Sequence, residues 1–123
     1  MFDVLVTAHG HAYSRFQRGL KTRNAHLALD AARELRRLTL EDALGLCLIL
    51  RTESPRYQRA AARWLSRYHA EVELVTLSEI QEVADLLAAL PVFGAEAGEA
   101  LAAHLERRGL HRCAGRVRDL VTA

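Results

Sequence analysis

His9 and His11 stand two residues apart, with Tyr13 and Arg15 close behind, and a shared metal needs both imidazoles on one side of the backbone. On a helix, side chains two apart point about 200° away from each other, and no HxxxH or CxxC pattern accompanies them. His104 falls among apolar residues at helical spacing and His111 near a turn, where hydrogen-bonded structural histidines are expected. Cys47 and Cys113 lie on apolar helical faces, where a free thiol behaves as a small hydrophobe. Gly-x-Ser-x-Gly, P-loop and GxGxxG sequences are absent. These residues predict no metal, no cofactor and no enzymatic activity.

The arginines carry the stronger signal. Arg56, Arg59, Arg63 and Arg67 fall on one stripe of a helix, uninterrupted by any acid. Arg15, Arg18, Lys21 and Arg23 form a second cluster, and Arg107, Arg108, Arg112, Arg116 and Arg118 a third. Guanidinium forks match carboxylate and phosphate oxygens, so two partner classes follow. The leading expectation is a non-enzymatic interaction module that docks a protein partner, or a second copy of itself, on the Arg56 to Arg67 stripe. The alternative is an accessory nucleic-acid-binding protein that uses this stripe together with Arg15, Arg18, Lys21 and Arg23 on phosphates. A base-reading helix-turn-helix is disfavoured, because the turn before Pro55 lacks a glycine and the stripe offers no Asn or Gln for base edges. Opposing both readings, Glu79, Glu82 and Asp85 on the following helix are expected within reach of the stripe if the two helices pack antiparallel.

The elements that must position these residues read as helices. The chain has 123 residues, half of them hydrophobic, with two prolines and seven glycines. That length suits a single domain, 1–123, which needs no disulfide or metal staple, and the propensities favour an all-α bundle of six or seven antiparallel helices. Stacked helical hairpins are the runner-up arrangement. The net charge of +2 hides a segregation: residues 1–70 carry twelve bases and six acids, whereas 71–90 carry five acids and no base. Asp3 and the lack of a basic start before Val6 argue against a signal peptide, and no apolar run approaches the roughly 18 residues of a membrane span. A cytoplasmic protein without membrane contact is expected.

In Ser54 to Ala70, Tyr57, Ala60, Ala61, Trp64, Leu65 and Tyr68 repeat at the spacing of one helix face, with Ser54 as N-cap and Pro55 at the first helical position. Two capping boxes flank this helix, Thr39 with Asp42 and Thr76 with Glu79, in which hydroxyl and carboxylate are expected to serve helix-start donors reciprocally. Upstream, a helix is predicted over about 2–19, then another from the Asn24 cap with Leu27, Ala31, Leu35 and Leu38 inside. The helix from Thr39 to about Arg51 is apolar nearly all round and reads as the most buried. Residues 69–74 read as either a helical extension or an extended link. Pro91 is expected to stop the fifth helix, with Val92 and Phe93 tucking onto the core, or forming a dimer patch with Phe2 if exposed. A sixth helix follows over 94–108; beyond it Gly109 suits the left-handed C′ position, Leu110 suits the Schellman contact with Leu105, and a seventh helix closes the chain.

The order LTLEDALGLCLIL, SPRYQRAAARWLSRYHAEV and LTLSEIQEVADLLAAL resembles small all-helical actinobacterial proteins of unknown function, over about residues 38–90. The resemblance implies a self-contained helical domain built round an aromatic-and-arginine helix. It implies no activity.

Overall fold

The computed structural model describes residues 4–122, with side chains from His9 onward; Phe2 lies outside the described residues, as do the side chains of Leu5 and Val6. Seven helices follow one another: α1 (Val4–Lys21), α2 (Ala25–Glu34), α3 (Leu40–Ile49), α4 (Ser54–Glu71), α5 (Leu77–Phe93), α6 (Ala95–Arg107) and α7 (His111–Val117), closed by a π turn, Arg118–Thr122. No strand occurs among the described residues, so the protein is an all-α bundle. No described helix is long and apolar enough to cross a membrane.

Local chemistry sets most of the helix ends. The Asn24, Thr39 and Thr76 side chains accept the backbone N–H groups of Leu27, Asp42 and Glu79 at 3.0, 3.1 and 3.1 Å, each satisfying a donor with no partner inside its helix. The reciprocal halves of the two capping boxes are not made, because both carboxylates are drawn into ion pairs elsewhere. α4 starts one residue earlier than expected: Glu53 is its cap residue, and Ser54 is already helical. After α6, Gly109 takes φ +75°, and the N–H groups of Leu110 and Gly109 reach the carbonyls of Leu105 and Glu106, both at 2.9 Å, completing the expected Schellman motif. α1 ends in the same bond pattern, Asn24 to Gly19 and Arg23 to Leu20, but with Arg23 at φ +56° where glycine normally sits.

Pro91 does not stop α5, which continues to Phe93. Proline withholds the N–H that the carbonyl four residues back expects, here that of Leu87. The buried Tyr57 hydroxyl of α4 donates to that carbonyl at 2.5 Å and repairs the gap. As the helix runs on, Val92 and Phe93 are carried outward, 74% and 62% exposed, instead of tucking onto the core. Gly94, at φ +48°, then makes the break.

α3 occupies the centre, touching α1, α2, α4, α7 and the π turn, with Leu44, Leu48 and Ile49 buried. Around it Phe16, Trp64, Tyr68, Leu87, Leu101 and Leu105 join one core. Each buried aromatic removes roughly 150–250 Å² from water, so Phe16, Trp64 and Tyr68 dominate the apolar contribution. α2 rests chiefly on α1 rather than on α3, its successor in the chain. Gly19 permits this contact, since a Cβ there would stand 2.7 Å from the Ala28 nitrogen. α4 ends at Glu71, followed by Leu74 at φ +56°.

Candidate interaction surface

α4 buries Tyr57, Trp64 and Tyr68 and leaves Arg56, Arg59 and Arg63 exposed, with Arg67 half-buried. Trp64 Nε1 donates to the Leu40 carbonyl at 2.9 Å, which fixes the rotation of the helix on α3. The two ends of the stripe are neutralised within α4 and its cap: Arg56 pairs with Glu53 at 2.7 Å and Arg67 with Glu71 at 2.6 Å. Arg67 holds the Glu71 carboxyl below its ordinary range, and Arg37 adds a 3.5 Å contact to the same carboxylate. Arg59 and Arg63 make neither an ion pair nor a side-chain hydrogen bond among the described residues.

The acidic face of α5 does not neutralise the stripe, contrary to the charge pairing expected across α4 and α5. Glu79 points to α6, where its Oε2 meets His104 Nε2 at 3.2 Å and Arg108 Nε at 2.9 Å, and it also accepts from the Tyr68 hydroxyl. The Arg108 approach is an ion pair without an aligned N–H bond. Glu82 lies 3.7 Å from His104 Nδ1, and Asp85 accepts from Gln81 at 2.9 Å. Burial pushes the Glu79 carboxyl up, but Tyr68, His104 and Arg108 outweigh it and hold the group below the usual carboxylate range. His104 is thus the buried, hydrogen-bonded residue its spacing predicts.

The second cluster divides. Arg15 pairs with Glu34 of α2. Arg18, Lys21 and Arg23 instead line a cavity of about 610 Å³ with Gln17, Leu20, Arg116, Asp119 and Leu120. The third cluster is largely spent on internal pairs: Arg108 with Glu79, Arg112 with Glu41 at 3.7 Å, Arg116 with Asp42 at 2.5 Å, and Arg118 with Glu99 and Glu106 at 3.1 and 3.0 Å. Asp42 is the residue that sequence reasoning placed least well. Only 1% exposed, it accepts from Tyr13 at 3.0 Å as well as from Arg116, and a capping-box position gives no sign of such burial.

The remaining reactive groups are quiet. Cys47 and Cys113 are free and buried, and burial pushes both thiols up to about 12, against a small opposing pull of Arg63 on Cys47. Thiols in that range stay protonated at neutral pH and are poor nucleophiles. No group of three metal-ligating side chains gathers among the described residues. A cavity of about 660 Å³ lies between the start of α4 and the end of α5, bordered by Arg51, Tyr57, Gln58, Pro91 and Phe93. Comparison of the chain with protein-family models, with curated proteins and with solved structures finds no match.

Proposed function

We propose that the protein is a non-enzymatic interaction module that docks an acidic surface of another protein on α4. The observation that carries this reading is the pair Arg59 and Arg63, one turn apart on α4, exposed and without an ion pair among the described residues while Arg56 and Arg67 at the ends of the same stripe are matched to carboxylates. Side chains already paired at a surface add about 0–1 kcal/mol each and have little charge left to offer, whereas an unpaired guanidinium keeps its full fork for a partner's carboxylate. We assign the protein to the cytoplasm, a setting that its two free cysteines suit.

With Arg15, Arg56 and Arg67 already paired, five of the eight cations of the nucleic-acid reading remain, fewer than the roughly six to ten phosphate contacts of a strongly salt-dependent DNA binder, which favours a protein partner. The test compares the proteins retained by the wild type and by Arg59→Glu/Arg63→Glu, with duplex DNA measured in parallel by fluorescence anisotropy across a salt series. Loss of specific acidic partners in the variant is the expected result. An unchanged set of partners overturns the reading. DNA binding that weakens steeply with salt and vanishes in the variant would transfer the function to nucleic acid.

A further inference from the structure

The cavity between the end of α1 and the π turn collects Arg18, Lys21, Arg23 and Arg116 against one carboxylate on its lining, that of Asp119. Basic residues at a helix C-terminus ordinarily serve its unsatisfied carbonyls. Here those carbonyls are occupied without Arg18 or Lys21: Arg18 O accepts from the Thr22 amide at 2.9 Å and its hydroxyl at 2.7 Å, Gly19 O from Asn24, Leu20 O from the Arg23 amide, and Lys21 O from the Arg23 guanidinium at 3.5 Å. Arg18 and Lys21 are exposed and carry no ion pair among the described residues. Arg116 is turned back to Asp42 and, at 3.4 Å, to Gln17, so it lines the cavity as an already paired group.

Two irregularities of the backbone meet at this cavity. Arg23 holds a left-handed conformation, φ +56°, that glycine adopts without steric cost, and its guanidinium reaches across to the Asp119 carbonyl at 2.9 Å. The opposite side, Asp119 and Leu120, belongs to a π turn, a rare geometry that is frequent at functional sites. Strain of this kind persists where the surroundings hold it and concentrates at ligand sites.

We propose that this cavity binds a compact phosphorylated small molecule, with Arg18, Lys21 and Arg23 on the phosphate oxygens. The volume of about 610 Å³ falls within the range of small-molecule sites, roughly 300–1,000 Å³. No aromatic side chain lines it, which disfavours a ligand that needs a stacked base. The inference is independent of the α4 surface, since it uses none of its residues.

Calorimetric titration at low salt with inorganic phosphate, inorganic pyrophosphate and ribose 5-phosphate tests it. Pyrophosphate is expected to bind at one site, with Kd raised about tenfold or more by Arg18→Ala or Lys21→Ala and unchanged by Arg59→Ala. Tighter binding of ribose 5-phosphate than of phosphate would identify a sugar phosphate, and the reverse an inorganic anion. Arg23→Gly provides a variant whose backbone suits the left-handed turn, so it is expected to stay folded and still lose affinity. No heat with any probe up to about 5 mM overturns the proposal, as does binding that Arg18→Ala/Lys21→Ala leaves intact.

Discussion

Asp42 and Glu79 hold the same place in two helices, third after a threonine cap, and both turn their carboxylates away from that cap toward a tyrosine and an arginine. Asp42 takes Tyr13 and Arg116; Glu79 takes Tyr68 and Arg108, with His104 besides. The threonine alone is enough to start each helix, which frees the acid to tie α3 to α7 and α5 to α6. Each tie is a buried or half-buried charge contact, whose failure leaves one charge without a partner.

Asp42→Ala therefore takes the carboxylate from the Arg116 guanidinium, while the exposed Tyr13 hydroxyl keeps Gln17 and water as partners. A loss of about 3 kcal/mol is expected in urea unfolding, at the lower end for a broken buried pair because Arg116 reaches water on its cavity side. Replacing both charges, Asp42→Leu with Arg116→Met, should recover most of it.

Glu79 gives the stability of the protein an acid limb. Its folded pKa is depressed, so unfolded chains take up the proton first: the contribution is present above the unfolded value, about 4.3, and is lost as pH falls through the folded one. Glu79→Gln should cost about 1.5–3 kcal/mol near pH 6, and the gap to wild type should narrow below about pH 4. A gap that stays constant in urea titrations over that range would show that the ionised carboxylate is not what stabilises the cluster.

The repair of the Leu87 carbonyl by Tyr57 calls for a double-mutant cycle. Tyr57→Phe leaves a buried acceptor unsatisfied and should cost about 1–3 kcal/mol. Pro91→Ala restores the helical N–H to that carbonyl, so in its background the same Tyr57→Phe change should cost markedly less, with a coupling of at least about 0.5 kcal/mol by chemical denaturation. Additive effects would separate the hydroxyl from the proline.

Gly19→Ala should push α1 off α2. The added methyl would lie 2.7 to 2.8 Å from backbone and Cβ atoms of Ala28, and backbone cannot swing aside as a long side chain can. A destabilisation of about 1–3 kcal/mol is expected despite alanine's better helix propensity, whereas the exposed, uncrowded Gly10 should show the ordinary gain of roughly 0.5–1 kcal/mol on the same change, in thermal melts of both variants.

What was legible in the sequence was chemistry confined to a few neighbouring residues. Thr39, Thr76 and Asn24 cap as their side chains dictate, Gly109 turns as only glycine readily does, and the period of Tyr57, Trp64 and Tyr68 puts them in the core. The misreadings at Pro91 and at the α5 acids share one cause, a partner far along the chain. Pro91 reads as a stop until a hydroxyl thirty residues away supplies what it lacks. The α5 acids read as counter-charges for the α4 arginines, but α6 offers Glu79 a buried histidine and an arginine at closer quarters. Of the candidate site, the α4 stripe was readable as a stripe; that only Arg59 and Arg63 remain unpaired depends on Glu53 and Glu71 lying at its ends. The grouping of Arg18, Lys21 and Arg23 with Arg116 joins segments nearly a hundred positions apart, beyond the reach of any local pattern.

That span has a meaning for synthesis. Asp42 finds its guanidinium 74 residues downstream, and Arg23 closes on a carbonyl 96 residues downstream. Domains are generally taken to fold as they leave the ribosome, emerging at about 5–20 residues per second. On that schedule the first helices emerge carrying a carboxylate meant for burial, several seconds ahead of residues 116–119. The ties that join these distant positions can therefore form only after residues 116–119 have been made.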